Sequence, residues 1–344
     1  MDTKIIKKLD EEIDEVIEEL KQNRCVILPT ETVYGIGGNA LSIPAVENIF
    51  TLKERARTNP LNVLVSDFSM VECVAKNITA EEEKIMNAFW PGPLTIILPK
   101  KETVPSIVTA GGEYIGVRIP NCEKTRTIIR KANIPLACPS ANISGKPSGT
   151  MVEDIQKEFD GKVKYIVDDG ISSLGIESTV LRVINKEAVI LRPGFVTKED
   201  IEKLGIKARY DENIFKKVEK NEKVLSEGMK NKHYVPSIKC ILAKKDNRNI
   251  QDVILDKVEK EKDKKIIIIS CKENVEKYKK ENIVEVINMG SENNITEIGK
   301  NIFHILRSLE FKNADLVIIE GIKEEDNTIA IINRLVRACE YNVI

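Results

Sequence analysis

Apolar positions recur along this chain with two periods, and the period switches many times in the first two hundred residues. Ile13, Val16, Ile17 and Leu20 follow helical spacing between acids and lysines, which predicts an amphipathic helix near the N-terminus. Cys25-Val26-Ile27-Leu28 is a short apolar run that stops at Pro29, the pattern of a strand. Ser42 stands as N-cap for a helix over 43–57, and a strand over 61–65 follows. Thr79 and Glu82 have the spacing of a capping box for a helix running to about Phe89, and Thr150 and Glu153 repeat that spacing. Strands are expected over 94–98, 114–119, 135–140 and 165–170, and a hairpin within 178–194. Such a mixture predicts a largely buried α/β sheet with some antiparallel pairing.

The rhythm breaks over 208–236, a charged and weakly periodic stretch that reads as a linker. Beyond it, "IKCILA", "KIIIIS", "IVEVIN" and "DLVIIE" are short apolar strands separated by helical segments such as "EIGKNIFHILRSLE" and "IAIINRLVRACE". That succession predicts a smaller, parallel-sheet, Rossmann-like α/β domain. The expected organisation is therefore a first domain over 1–207, a linker over 208–236 and a second domain over 237–344.

Composition removes several chemistries. Net charge is −1 with 31% charged residues, which argues against a general polyanion binder. No apolar run approaches the roughly 20 residues of a membrane helix. The seven cysteines are scattered without a CxxC pair, as expected of a reduced cytoplasmic protein. With only His233 and His304, neither a zinc site nor a Ser-His-Asp triad is expected. A phosphate loop is also absent, since "SGKPSG" has Pro147 where a hydroxyl residue belongs.

The polar loops of the first domain carry what chemistry remains. "CVILPTETVYGIGGNA" delivers a strand to Thr30, Glu31, Thr32 and Tyr34, then to Gly35, Gly37 and Gly38. The spacing Gly35-x-Gly37-x-x-Ala40 resembles a dinucleotide fingerprint, but its first glycine lies too far past the strand. The glycines read either as a loop shaped for backbone geometry or as a close approach to a ligand. Lys53, Arg55 and Arg57, taken alone, read as a solvated helix end favoured by the macrodipole. Arg118 and Arg192 sit among apolar residues beside prolines, so each needs an anionic partner, either an internal carboxylate or a ligand. Ser140, Asn142, Ser144, Lys146 and Ser148 run through one loop, a surface turn or a ligand cradle, and "GIESTV" offers Glu177, Ser178 and Thr179. Taken together, cations and hydroxyls without histidine or a metal cluster fit catalysis on phosphates by positioning and charge.

In order along the chain, "PTETVYGIG", "KERARTNPLNVL", "FWPGPLTIIL", "GVRIP", "CPSANISGKPS", "GIESTV" and "LRPG" resemble the YrdC-like L-threonylcarbamoyladenylate synthases. "SEGMKNKHYVP" and "NRLVRA" resemble the longer, two-domain members. The resemblance implies a twisted mixed-sheet catalytic domain. It also implies a nucleotidyltransferase that makes threonylcarbamoyl-AMP and pyrophosphate from L-threonine, bicarbonate or CO2, and ATP with Mg2+. The adenylate would go to a tRNA threonylcarbamoyl-transfer complex, so tRNA would be met only indirectly. Position by position, the resemblance places Thr32, Leu64, Arg118, Cys138 and Ser178 at threonine. It places Arg55, Asn59, Tyr114, Ser140, Asn142, Ser148, Arg192 and Tyr234 at ATP, with Lys53 and Arg55 acting on the phosphates. Leu64 stands where family members often carry His, and Ala56 where they often carry Pro. The segment containing His233 and Tyr234 is expected to close over the ATP site. Two other readings of the same motifs are a non-catalytic RNA-binding module of the tRNA modification machinery and a transferase using a related carbamoyl adenylate.

Overall fold

The computed structural model describes residues 2–216 and 233–344. The chain divides into two units, the first made of Met1–Ser144, Ser148–Ser173 and Glu177–Asn231, the second of Gly145–Pro147, Leu174–Ile176 and Lys232–Ile344. The first unit begins with β1 (Lys4–Ile6), α1 (Leu9–Lys21), β2 (Val26–Leu28), β3 (Gly35–Asn39), α2 (Ile43–Leu52), β4 (Asn62–Leu64), α3 (Phe68–Val71) and α4 (Ala80–Phe89). It continues through β5 (Leu94–Pro99), β6 (Tyr114–Arg118), α5 (Glu123–Ala132), β7 (Leu136–Ala137), α6 (Val152–Phe159) and β8 (Tyr165–Val167). It closes with the hairpin β9 (Thr179–Ile184) and β10 (Glu187–Arg192), then α7 (Lys198–Glu202) and β11 (Ala208–Tyr210). All eleven strands form one mixed sheet in the order β1-β8-β2-β3-β7-β4-β6-β5-β9-β10-β11.

Several local signals act as the sequence suggests. Ser42 caps α2, its hydroxyl accepting from Ala45 N, and Thr79 and Glu82 close a reciprocal capping box on α4. The second proposed box does not form. Helix α6 is capped by Met151 without a side-chain hydrogen bond, and Thr150, one residue before the cap, is fully buried with its hydroxyl making no hydrogen bond. The glycine stretch is not a loop: β3 pairs antiparallel with β2, Gly35 opposite Leu28. A Cβ on Gly35 would collide with Cys138 Sγ, so close packing of β3 against the 138–140 segment requires glycine there. Strand β11 pairs in parallel with β10, so the residues just after 207 belong to the sheet rather than to a linker. Residues 217–232, on which most of the expected closing segment falls, lie outside the described residues.

The second unit carries β12 (Cys240–Ala243), α8 (Ile250–Lys260), β13 (Ile266–Ser270), β14 (Ile283–Asn288), α9 (Ile295–Ser308), β15 (Leu316–Glu320) and α10 (Ile329–Ala338). The four strands form a parallel sheet in the order β12-β15-β13-β14, as the alternation of apolar runs and helices predicts. Buried Glu320, at the carboxyl end of β15, accepts from Ser270 Oγ at 2.5 Å, from the Cys271 amide at 3.3 Å and from Asn274 Nδ2. This network leaves no mark in the hydropathy pattern. No helix among the described residues is long and apolar enough to cross a membrane.

Helix α1 packs Ile13, Val16 and Leu20 into the first core, and buries Glu19 beside them. Arg24 grips that carboxylate with Nε at 2.5 Å and Nη2 at 2.6 Å, and Lys164 Nζ approaches at 3.2 Å. The Arg24 guanidinium holds the carboxyl below the usual glutamate range. A folded pKa below the unfolded one gives stability that is present above the unfolded pKa and lost as pH falls through the folded one. We expect the urea midpoint to fall as pH drops through and below the ordinary glutamate value of about 4.3, and to fall less steeply in Glu19→Gln, which starts lower at neutral pH. Parallel pH profiles of the two proteins would show that Glu19 carries none of this acid sensitivity.

Candidate active site

Strands β4 and β6 run in parallel with Leu64 opposite Arg118, so these two side chains lie together on one face of the sheet. Asn62, two residues before Leu64, shares that face. Gly116 keeps the face open, since a Cβ there would run into Asn62 Oδ1. Thr95 of β5, the start of the 178–179 segment before β9, the end of β10 at Arg192 and the segment after β7 complete the surroundings. An open pocket results, lined by Thr30, Thr32, Val33, Tyr34, Gly35, Asn62, Leu64, Thr95, Arg118, Cys138, Ser140, Glu177, Ser178 and Arg192.

Two buried cations dominate its electrostatics. Arg118 donates Nε to the Gly92 carbonyl at 3.0 Å and Nη1 to Thr32 Oγ1 at 2.9 Å, while Nη2 lies 2.7 Å from Glu31 Oε2. The contact with Glu31 is an ion pair without a well-directed hydrogen bond, and both side chains are more than nine-tenths buried. The internal carboxylate, one of the two partners weighed for this arginine, is present as Glu31. Arg192 donates Nε to the Ser178 carbonyl at 3.1 Å and Nη2 to Ser178 Oγ at 3.2 Å. Ser178 in turn shares a hydrogen bond of 2.8 Å with Thr95. The carboxylate on the pocket wall is Glu177, which accepts from Ser148 Oγ at 2.6 Å. Tyr34 is anchored by its hydroxyl, which donates to the Gly170 carbonyl at 2.7 Å and accepts from the Asp169 amide at 3.1 Å, and burial pushes its phenol above the usual range.

The wall thus brings together Thr32, Leu64, Arg118, Cys138, Ser178, Ser140 and Arg192 of the residues singled out in the sequence. Lys53, Arg55, Asn59, Tyr114, Asn142 and Ser148 are not among the residues of that wall, and Tyr234 belongs to the second unit, its ring stacked on Phe303 at 4.9 Å. The solvated helix end expected at 53–57 is realised only by Arg57, which is exposed and paired with Glu47 at 2.9 Å. Helix α2 stops at Leu52, and Lys53 and Arg55 turn inward, 1% and 6% exposed. Lys53 Nζ donates to the carbonyls of Ser140 and, at 2.8 Å, Asn142, while Asn142 Oδ1 accepts from Ser140 Oγ at 2.6 Å. Arg55 Nη2 donates to the Pro60 carbonyl at 3.0 Å. Tyr114 lies beneath the Arg182 guanidinium, 3.7 Å from its ring centroid. Thr30, Glu31, Asn62 and Thr95 went unassigned in the sequence. Thr95 had a signal available, being the one hydroxyl inside "LTIIL".

Residues 18–194 match the Sua5, YciO and YrdC family model, described as Telomere recombination, and residues 196–339 match the model of the Threonylcarbamoyl-AMP synthase, C-terminal domain. The chain belongs to the threonylcarbamoyl-AMP synthase family. The threonylcarbamoyl-AMP synthase of Pyrococcus abyssi (strain GE5 / Orsay) is 37% identical over 329 residues, covering 94% of this chain and 93% of that one. Its counterpart in Bacillus subtilis (strain 168) is 34% identical over 336 residues, covering 97% and 95%. The crystal structure of P. abyssi Sua5 complexed with L-threonine is similar with a TM-score of 0.91 and 35% identity, covering 99% of each chain. The similarity therefore spans both domains of the two-domain form.

Lys53 holds the 140–142 loop through its carbonyls, which a purely ligand-facing lysine would not do. Replacing it should leave buried acceptors without a charged donor. We expect Lys53→Met to lower stability by about 1–3 kcal/mol in urea titration without added ligand. An unchanged urea midpoint would mean that Lys53 carries no structural load.

Proposed function

We propose that this chain is an L-threonylcarbamoyladenylate synthase, converting L-threonine, bicarbonate or CO2, and ATP as its Mg2+ complex into threonylcarbamoyl-AMP and pyrophosphate. The observation that carries this reading is the pocket on the sheet face, where two buried arginines, Arg118 and Arg192, meet hydroxyls and amides. The neutral amine of threonine attacks the carbon of CO2, one C=O π bond opens onto its oxygen, and the nitrogen releases one proton to solvent and keeps one, giving a carbamate. A carbamate oxygen then attacks the α-phosphorus, and the bond to pyrophosphate breaks. No protein nucleophile is required; orientation and charge are.

In this proposal Thr32, Leu64, Arg118, Cys138 and Ser178 hold threonine, with Arg118 on its carboxylate. Arg55, Asn59, Tyr114, Ser140, Asn142, Ser148, Arg192 and Tyr234 serve ATP, and Lys53 and Arg55 serve the reacting phosphates. The burial of Lys53 supports a role through the Ser140–Asn142 loop. Glu177 offers the hard oxygen ligand that Mg2+ takes. The adenylate then passes to the apparatus that modifies tRNA. Seven free cysteines go with a cytoplasmic setting.

Pyrophosphate release from protein, Mg2+, ATP, bicarbonate and single amino acids tests the reading. We expect release with L-threonine. Release with no amino acid added favours a related carbamoyl-adenylate transferase, and none under any condition favours a binding module. Among variants, Arg118→Lys keeps a cation beside Glu31 but loses the planar fork, and should raise the KM for threonine about tenfold with little change in the KM for ATP. Arg192→Ala should do the converse, and a threonine-only defect in Arg192→Ala would remove it from the ATP set.

A further inference from the structure

Thr30 stands beside Thr32 on the pocket wall, and hydrogen-bond accounting gives it a role. A threonine hydroxyl has one proton to donate and two lone pairs to accept with. Thr30 Oγ1 donates its proton to the Val33 carbonyl at 2.6 Å. The 2.8 Å contact between the Thr30 and Thr32 hydroxyls must then be a donation from Thr32 to Thr30. The Thr32 and Val33 amides, both 3.2 Å from Thr30 Oγ1, share its second lone pair in a three-centre contact. On its other side Thr32 Oγ1 accepts from Arg118 Nη1 at 2.9 Å. Arg118 is itself held by the Gly92 carbonyl and by Glu31, so it cannot rotate away without losing both. The chain of bonds is directed throughout: Arg118 to Thr32, Thr32 to Thr30, Thr30 to the Val33 carbonyl.

We propose that Thr30 is a positioning residue that makes the Thr32 hydroxyl an acceptor only, so that this point of the pocket takes a hydrogen-bond donor of the substrate. The inference rests on the reading of Thr32 as a threonine contact. With its proton committed and one lone pair engaged by Arg118, Thr32 has one lone pair left. It repels a carboxylate oxygen and accepts from an amine or a hydroxyl. A carboxylate arriving at Arg118 is thereby kept off Thr32, and the amine or the β-hydroxyl of the same amino acid is drawn to it. Amino acids that bind by their carboxylate end in the reverse orientation are disfavoured.

Calorimetric binding of L-threonine and of L-2-aminobutyrate, which lacks the β-hydroxyl, to the full chain tests this. Thr30→Val removes the acceptor of Thr32's proton and should weaken L-threonine about tenfold, with the KM for ATP within about twofold. Thr30→Ser should restore binding to within about twofold of the wild type. In Thr30→Val/Thr32→Val, threonine should bind no more weakly than in Thr32→Val alone, because Thr30 acts through Thr32. Thr30→Cys, a weaker donor and acceptor, should move in the same direction as Thr30→Val and serves if that variant does not fold. An equal loss for both amino acids identifies the amine as the donor, and a loss for threonine alone identifies the hydroxyl. Wild-type affinity in folded Thr30→Val and Thr30→Cys, no recovery in Thr30→Ser, or penalties that multiply in the double variant would overturn the role of Thr30. A wild-type protein that binds no L-threonine would instead overturn the proposed function.

Discussion

A buried guanidinium must find its hydrogen-bond acceptors inside the protein, because leaving a charge unpaired away from water is costly. Arg118 meets that demand with three partners drawn from far along the chain: the Gly92 carbonyl, the Thr32 hydroxyl and the Glu31 carboxylate. Those partners tie the segment after β2 and the turn before β5 to the end of β6. The pocket wall is what lies between them. Hydroxyls at 30 and 32 bond to each other, as do those at 95 and 178, and Thr32 and Ser178 accept from the two arginines, so their positions are set before any ligand arrives. Such preorganisation is what catalysis by charge and orientation requires.

The long apolar runs made most of the architecture readable. β5, β6, the β9–β10 hairpin and all four strands of the second sheet follow from short apolar segments flanked by turns or helices. β1 and β11 do not, being three residues each, edge strands with mixed burial whose existence depends on a partner already in place. The glycine stretch misled for a related reason. Glycine suggests a loop when read locally, yet Gly35 is in a strand because Cys138 leaves no room for a side chain. Local propensity was overridden by packing between segments a hundred residues apart.

The site was legible as a set of residue types but not as a geometry. Motif residues separate into two kinds once their side chains are traced. Thr32, Leu64, Arg118, Cys138, Ser140, Ser178 and Arg192 form the wall, whereas Lys53 and Asn142 shape the loop that carries Ser140. Nothing in "KERARTNP" distinguishes a lysine that faces solvent from one that holds two backbone carbonyls; that depends on α2 ending at Leu52. Glu31 was no easier to place. It lies between two hydroxyls that line the pocket, in a bend between β2 and β3 where no strand alternation applies, and it meets the Arg118 guanidinium beside Thr32.

Leu64 brings these strands together, because it shows what the wall can and cannot discriminate. It lies opposite Arg118 on the same face, 3% exposed. A leucine offers no hydrogen bond, so at this point the wall recognises only apolar surface. On the proposed reading, burying the γ-methyl of threonine against it is worth about 0.8 kcal/mol, roughly a fourfold preference over serine. Rejection of an amino acid that lacks the hydroxyl cannot come from Leu64 at all. It must come from a polar group left unpaired when the hydroxyl is missing, which costs more than a lost methyl contact. The directed hydroxyl chain through Thr32 and Thr30 is a place where such a group stands. On that reading, selectivity in this pocket divides between a weak apolar contact on β4 and a polar one fixed by the segment after β2.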